Sequence, residues 1–108
     1  MKRKTYIPLP AVADFIEAQP ADVQREYVLI VGKLEADGFL QAPFGEKVEP
    51  GLFAMRIRAA DGNVRIFYGY VAANVVYGIH GYVKKTGRIP QHELEQARRI
   101  ARRLAGRR

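Results

Sequence analysis

From residue 52 onward, apolar and polar positions alternate with a period of two. In 52–58, Phe53, Met55 and Ile57 point one way and Ala54, Arg56 and Arg58 the other, the signature of a half-buried strand. Asp61-Gly62 predicts a two-residue hairpin turn, because both central positions of a type I′ turn need positive φ. That turn sets Ala60 against Asn63, Arg58 against Arg65, Ile57 against Ile66 and Arg56 against Phe67. A second turn at Ala73-Asn74 sets Val71 against Val76, Phe67 against His80 and Arg65 against Tyr82. One face then holds Met55, Ile57, Val64, Ile66, Tyr68, Tyr77, Ile79 and Val83. The other holds Arg56, Arg58, Arg65, Phe67, His80, Tyr82 and Lys84. A one-residue slip would scramble this division, and two independent turn assignments agree on it.

Ahead of these strands the period is helical. Residues 2–8 predict a short edge strand, blunted by Lys and Pro. Pro10 opens a helix to about Ala18, with Val12, Phe15 and Ile16 on one side. A second helix starts at Pro20 or Ala21, carries Val23, Tyr27, Ile30, Val31 and Leu34 as its stripe, and stops at Gly38, a residue suited to the left-handed C′ position. Gly32 inside it costs about 1 kcal/mol relative to Ala, which points to close packing there. Residues 39–51 read as a connecting loop with a short extended piece around Glu46–Val48. After the strands, Pro90 begins a last helix with Leu94, Ala97, Ile100, Ala101 and Leu104 inward and Arg98, Arg99, Arg102 and Arg103 outward. The expected architecture is one α+β domain over 1–108: a mainly antiparallel sheet, two N-terminal helices on one face and a basic C-terminal helix.

Composition narrows the function. The 108 residues carry a net charge of +7, and six arginines fall in the last eleven positions. A basic surplus of this kind favours a polyanionic partner, nucleic acid or an acidic protein. Cysteine is absent, so disulfides, thiolate nucleophiles and cysteine-bound metals are excluded. No apolar run approaches the roughly 20 residues of a membrane span, and the basic N-terminus lacks the apolar core of a signal peptide. These features suit a cytoplasmic protein.

The candidate chemistry lies on the arginine face. Arginines set directly across a strand pair repel. Either Glu46 or Glu49 neutralises them, or a polyanion does. Guanidinium binds phosphate through charged, bidentate contacts, and Phe67 and Tyr82 interleaved with Arg56, Arg58 and Arg65 could stack bases. His80 is a candidate general acid or base. Lys84-Lys85-Thr86 adds charge at the strand end. His80 and His92 lack partners at metal-ligand spacing, and no phosphate-cradling or nucleophile-elbow motif is present. Any catalysis is expected to need neither metal nor cofactor.

On these residues the chain resembles a known family. LFAMRIR, VRIFYGY and IHGYVKKTGRIPQHELEQAR are similar to the LxELRI, YRxFY and LLHGFxKKTxKTPxxExxxA blocks of RelE/HigB-like toxins of type II toxin–antitoxin systems, in the phage-derived HigB branch. The likeness is tightest at His80–Thr86, Pro90, Glu93 and Ala97, and the leading strand–helix–helix order also fits. It implies a RelE-like fold and a metal-independent mRNA interferase, an endoribonuclease acting on translated mRNA at the ribosome. Arg65 would stabilise the transition state. Lys84 and Lys85 would supply charge or move protons, His80 would serve as acid or base, and Arg56 would bind RNA backbone. The implied partners are a cognate antitoxin of helix-turn-helix type, mRNA and the ribosome. Three positions depart from the pattern: Ile89 replaces the capping Thr before Pro90, Gly87 replaces a common Gln, and no tyrosine follows Tyr82. The general base falls to His80 or to the lysines. The alternative is a non-catalytic basic module that binds RNA or protein with the same face.

Overall fold

The alternation read from the sequence becomes a five-stranded sheet that is covered on both sides. The computed structural model describes residues 2–60, 62–85 and 87–106. In chain order these form β1 (Thr5–Pro8), α1 (Pro10–Glu17), α2 (Ala21–Asp37), β2 (Gly45–Glu49), β3 (Leu52–Ala59), β4 (Gly62–Ala72), β5 (Val75–Val83) and α3 (Gln91–Gly106). The strand order is β1-β5-β4-β3-β2. β1 runs parallel to β5, and the other pairs are antiparallel. The mixed α+β architecture, with two helices before the main strands and one after, is the one expected. The connecting loop holds more structure than its Pro and Gly content suggests, because β2 pairs with β3 as the second edge strand.

The helix ends follow local rules. Pro10 occupies the first turn of α1, where its missing N–H is no loss. Gly38 closes α2 at φ 85° and its N–H donates to the Leu34 carbonyl. Gly32 departs from expectation. A Cβ built there would meet nothing within 4 Å, so internal close packing is not its reason.

α1 and α2 cover one face of the sheet. Val12, Ile16, Val23, Ile30 and Leu34 from the helices meet Met55, Ile57, Val64, Ile66, Tyr68 and Val76 from the strands. Each such aliphatic side chain contributes roughly 1.5–3 kcal/mol on burial. β5 approaches this layer so closely that side chains are excluded. A Cβ on Gly78 would lie 2.1 Å from the Tyr6 hydroxyl, and one on Gly81 would lie 2.6 Å from the Phe15 ring. α3 covers part of the other face, over Leu52, Ala54, Phe67, Ile79 and Tyr82.

Two details of register correct the expectation. First, β3 and β4 meet one residue earlier. Ala59 pairs with Gly62, Arg58 with Asn63, Ile57 with Val64 and Arg56 with Arg65. The pairings Arg58–Arg65, Ile57–Ile66, Arg56–Phe67 and Ala60–Asn63 are therefore not formed. Moving the turn by one shifts each partner by two, so every side chain keeps its face. Packing favours this register: Phe53 lies opposite Tyr68 and the two rings stack at 5.6 Å. Asp61 of the expected turn lies outside the described residues. Second, the β4–β5 ladder shifts between Phe67 and Tyr68 and again between Tyr70 and Ala72. Phe67–His80 and Arg65–Tyr82 form as expected, but Tyr70 rather than Val71 faces Val76. The bulge at Ile79 turns Ile79 and Tyr77 toward α3, not toward α1 and α2. Val83, expected in the core, is 44% exposed.

Candidate nucleic-acid interface

Period-two geometry and the ladder contacts place the polar residues of the α3 face in rows across β3, β4 and β5. Arg58, Asn63 and Lys84 form the outermost row, with the Lys84 N–H donating to the Asn63 carbonyl at 2.9 Å. Arg56, Arg65 and Tyr82 form the next. Ala54, Phe67 and His80 form the third, with Glu46 of β2 opposite Ala54. The structure thus brings Arg56, Arg58, Arg65 and Lys84 together. Lys85 follows at the strand end and is exposed; Thr86 of the same block lies outside the described residues.

Arg65 is the centre of this cluster. It is only 3% exposed, the sole buried charged residue among those described. Its NH1 has no hydrogen-bond partner among the described residues, and neither does the buried Nε of Arg56. Burial, then the charge of Arg56, pulls the Arg65 guanidinium below its ordinary pKa. An unpaired buried guanidinium is costly, and its neighbour across the strand pair has the same sign. Lys84 feels the same field. The charge of Arg65 first, then desolvation, then Arg56 and Arg58 lower its pKa. Its ammonium is therefore a stronger acid than a free lysine.

The two candidate neutralisers behave differently. Glu49 turns away to α3, where Arg98 donates to it from NH2 at 2.7 Å and from Nε at 3.1 Å. Glu46 stays on the cluster's face, and its charge acts on Arg65, Tyr82 and Lys84. It closes no ion pair with them among the described residues.

The aromatic residues are placed otherwise than a stacking platform requires. Phe67 is 0% and Tyr82 4% exposed. Phe67 lies between the His80 and Tyr82 rings, with centroids 6.2 and 5.8 Å away. Neither offers a free ring face to a base. They form a floor that fixes the tilt of His80 and continues under α3. Burial raises the pKa of Tyr82, and Arg65 partly offsets this, so the phenol stays protonated.

His80 is half-buried and pairs with Glu93 in the first turn of α3, Nε2 to Oε1 at 2.7 Å. His92 Nε2 lies 3.5 Å from the other oxygen. Glu93 had a sequence signal, an acidic residue in the first turn of a basic helix, but that signal is ordinarily satisfied by the helix dipole. Only the fold shows that it reaches His80. A carboxylate on one ring nitrogen fixes the imidazole's orientation and, when Nε2–H donates, leaves Nδ1 as the lone-pair nitrogen.

No helix among the described residues is long and apolar enough to cross a membrane. No curated protein matches the chain. The family described as Phage derived protein Gp49-like (DUF891) matches over residues 14–102, which takes in both N-terminal helices from Asp14, the four antiparallel strands and most of α3. With the arginine row, the His80–Glu93 pair and this match together, the chain belongs to the Gp49-like family of phage-derived proteins, a RelE-related, toxin-like family.

Proposed function

We propose that the protein is the toxin of a type II toxin–antitoxin pair, of the HigB branch, and an endoribonuclease that cleaves mRNA during translation without a metal. The observation that carries this reading is Arg65: a buried guanidinium with an unpartnered NH1, set beside Arg56 and Lys84. A phosphate diester seated over this row relieves the repulsion among its cations. Arg56, only partly buried, binds the scissile phosphate, and Arg65 stabilises the extra charge of the pentavalent transition state with its positive field from beneath. His80, oriented by Glu93, takes the proton of the ribose 2′-OH. The 2′-oxygen attacks phosphorus, and Lys84 protonates the departing 5′-oxygen. The products are a 2′,3′-cyclic phosphate and a free 5′-hydroxyl. Arg58 and Lys85, both exposed, extend the charged track along the RNA backbone, while Phe67 and Tyr82 support the site from below. The toxin requires a cognate antitoxin, encoded beside it and of helix-turn-helix type, to hold it silent.

Induced expression of wild type and Arg65→Ala, with primer extension on cellular mRNA, tests the reading. Growth arrest and codon-linked cuts are expected for wild type, and a loss of cutting of about 10²–10³-fold for the variant. Absence of arrest and cuts at equal soluble expression would falsify it. Salt-sensitive RNA binding without cleavage would point instead to the non-catalytic module.

A further inference from the structure

Lys84 is set apart from the other lysines by its surroundings. Lys2 lies 3.7 Å from the Glu35 carboxylate, Lys4 donates to the Ala73 carbonyl, and Lys33 lies 4.9 Å over the Phe44 ring. Lys84 closes no ion pair among the described residues. It stands in the row with Arg58 and Asn63, beside the row of Arg56, Arg65 and Tyr82. Arg58 and Lys84 are two strands apart, about 10 Å between backbones at roughly 4.8 Å per strand. Their long side chains reach a small anion placed between them. Arg58 is exposed and Arg56 partly so, which leaves both able to hold a phosphate. The field of these cations also acts on the amine itself. Arg65, desolvation, Arg56 and Arg58 lower the Lys84 pKa, and Glu46 opposes them. A lowered pKa leaves more of the amine neutral, and only the neutral amine has a lone pair for attack. A nucleophile and a dock for a phosphate leaving group therefore stand together.

We propose that this row is a site of self-acylation: Arg56 and Arg58 hold the phosphate of a small acyl phosphate, and Lys84 accepts its acyl group. In such a donor the phosphorus lies one oxygen away from the electrophilic carbon. A phosphate on Arg58 thus presents that carbon to the neighbouring amine. The neutral Nζ attacks the acyl carbon and forms the amide N–C bond. The C–O bond to the phosphate breaks, and the phosphate leaves with its electron pair, its charge stabilised by the guanidiniums. The surplus proton on nitrogen departs with it as hydrogen phosphate. The donor is already activated, so the step needs no further reactant. The amide has neither charge nor a proton to give. Acylation therefore removes the acid of the cleavage step and one cation of the RNA track, a silencing that rests on the ribonuclease reading above. The acylation itself does not rest on it.

The test is incubation of the full chain with acetyl phosphate, followed by peptide mass spectrometry. Lys84 should be acetylated about tenfold faster than Lys33 or Lys47, the gain of roughly one charge-assisted hydrogen bond. Inorganic phosphate should suppress labelling of Lys84 and spare the other two. Arg58→Gln, a change at an exposed position, should abolish the preference, with circular dichroism confirming that the variant folds. The acetyl ester of N-hydroxysuccinimide carries no phosphate, so its preference for Lys84 should be smaller and indifferent to added phosphate. Uniform labelling of the lysines would overturn the proposal. So would a preference that phosphate and Arg58→Gln leave untouched, or one equally strong with the neutral ester. Protein acetylated at Lys84 should then lose cleavage of mRNA; full cleavage by it would overturn the silencing. Unmodified protein that does not cleave would count against the ribonuclease reading alone, since the labelling pattern decides acylation by itself.

Discussion

Arg65 and Ile66 are neighbours in the chain, both buried, and they serve opposite faces of one strand. Ile66 points into a layer of aliphatic and aromatic side chains without a charged group, closed by two helices. Arg65 points into the face that α3 covers only in part, next to another arginine and without a partner for NH1. The first face is consistent at every level, from periodicity to packing. The second is locally unfavourable, and such inconsistency concentrates where a ligand is expected to complete the structure. The difference teaches that burial alone does not identify the core; what the buried group lacks is the informative part.

The largest expected effect tests the completed face. Ile66→Ala should destabilise the fold by about 2–5 kcal/mol, read as a shift in the denaturation midpoint. An effect near zero would mean that the two faces do not differ as described. Next comes Arg65→Met, which removes an unpaired buried charge while roughly keeping volume. It should leave thermal stability unchanged or raised while cleavage falls by about 10²–10³-fold. A strongly lowered melting temperature would make Arg65 a structural residue and erase the contrast.

A subtler test uses the field that the arginines impose on Lys84. In the proposed mechanism Lys84 is the protonated acid, and on that reading the cleavage rate should fall as pH rises through its lowered pKa. Arg56 contributes to that lowering. Arg56→Gln should therefore move the alkaline limb of the pH–rate profile to higher pH, beyond any uniform loss of rate. A limb that stays in place would remove Lys84 from the proton transfer.

The smallest effect concerns how α3 is held. The hydrogen bond from Arg98 keeps Glu49 below the ordinary carboxylate range. A group with a depressed folded pKa stabilises the fold above the unfolded value, about 4.3, and this contribution fades as pH falls through the folded one. Both side chains are about a third exposed, so screening keeps the contribution small. Melting curves of wild type and Glu49→Gln should differ slightly at neutral pH and converge in acid. Divergence in acid would reverse the sign of the argument.

Much of the fold is legible in the sequence. The stripe of α2, the stop at Gly38 and the pairing of Arg65 with Tyr82 and Phe67 with His80 all appear as read. The two misreadings of register share one cause. The turn near Asp61 and the bulge at Ile79 depend on which side chains pack across strands, as Phe53 does on Tyr68. Local turn preference could not weigh that. The candidate site was half legible: residue types and their common face could be read, but the burial of Phe67 and the reach of Glu93 to His80 could not.

The sequence by itself determined which residues share a face, because side-chain alternation along a strand is a local property of the backbone. It also determined the charge of that face and its likeness to toxin blocks. Only the tertiary structure decided how far α3 covers the face, which arginine stands opposite Arg65, and which acid meets His80. Those outcomes depend on contacts between residues distant in the chain, such as Glu49 with Arg98, and on a bulge that turns Ile79 and Tyr77 toward α3. No local pattern encodes them.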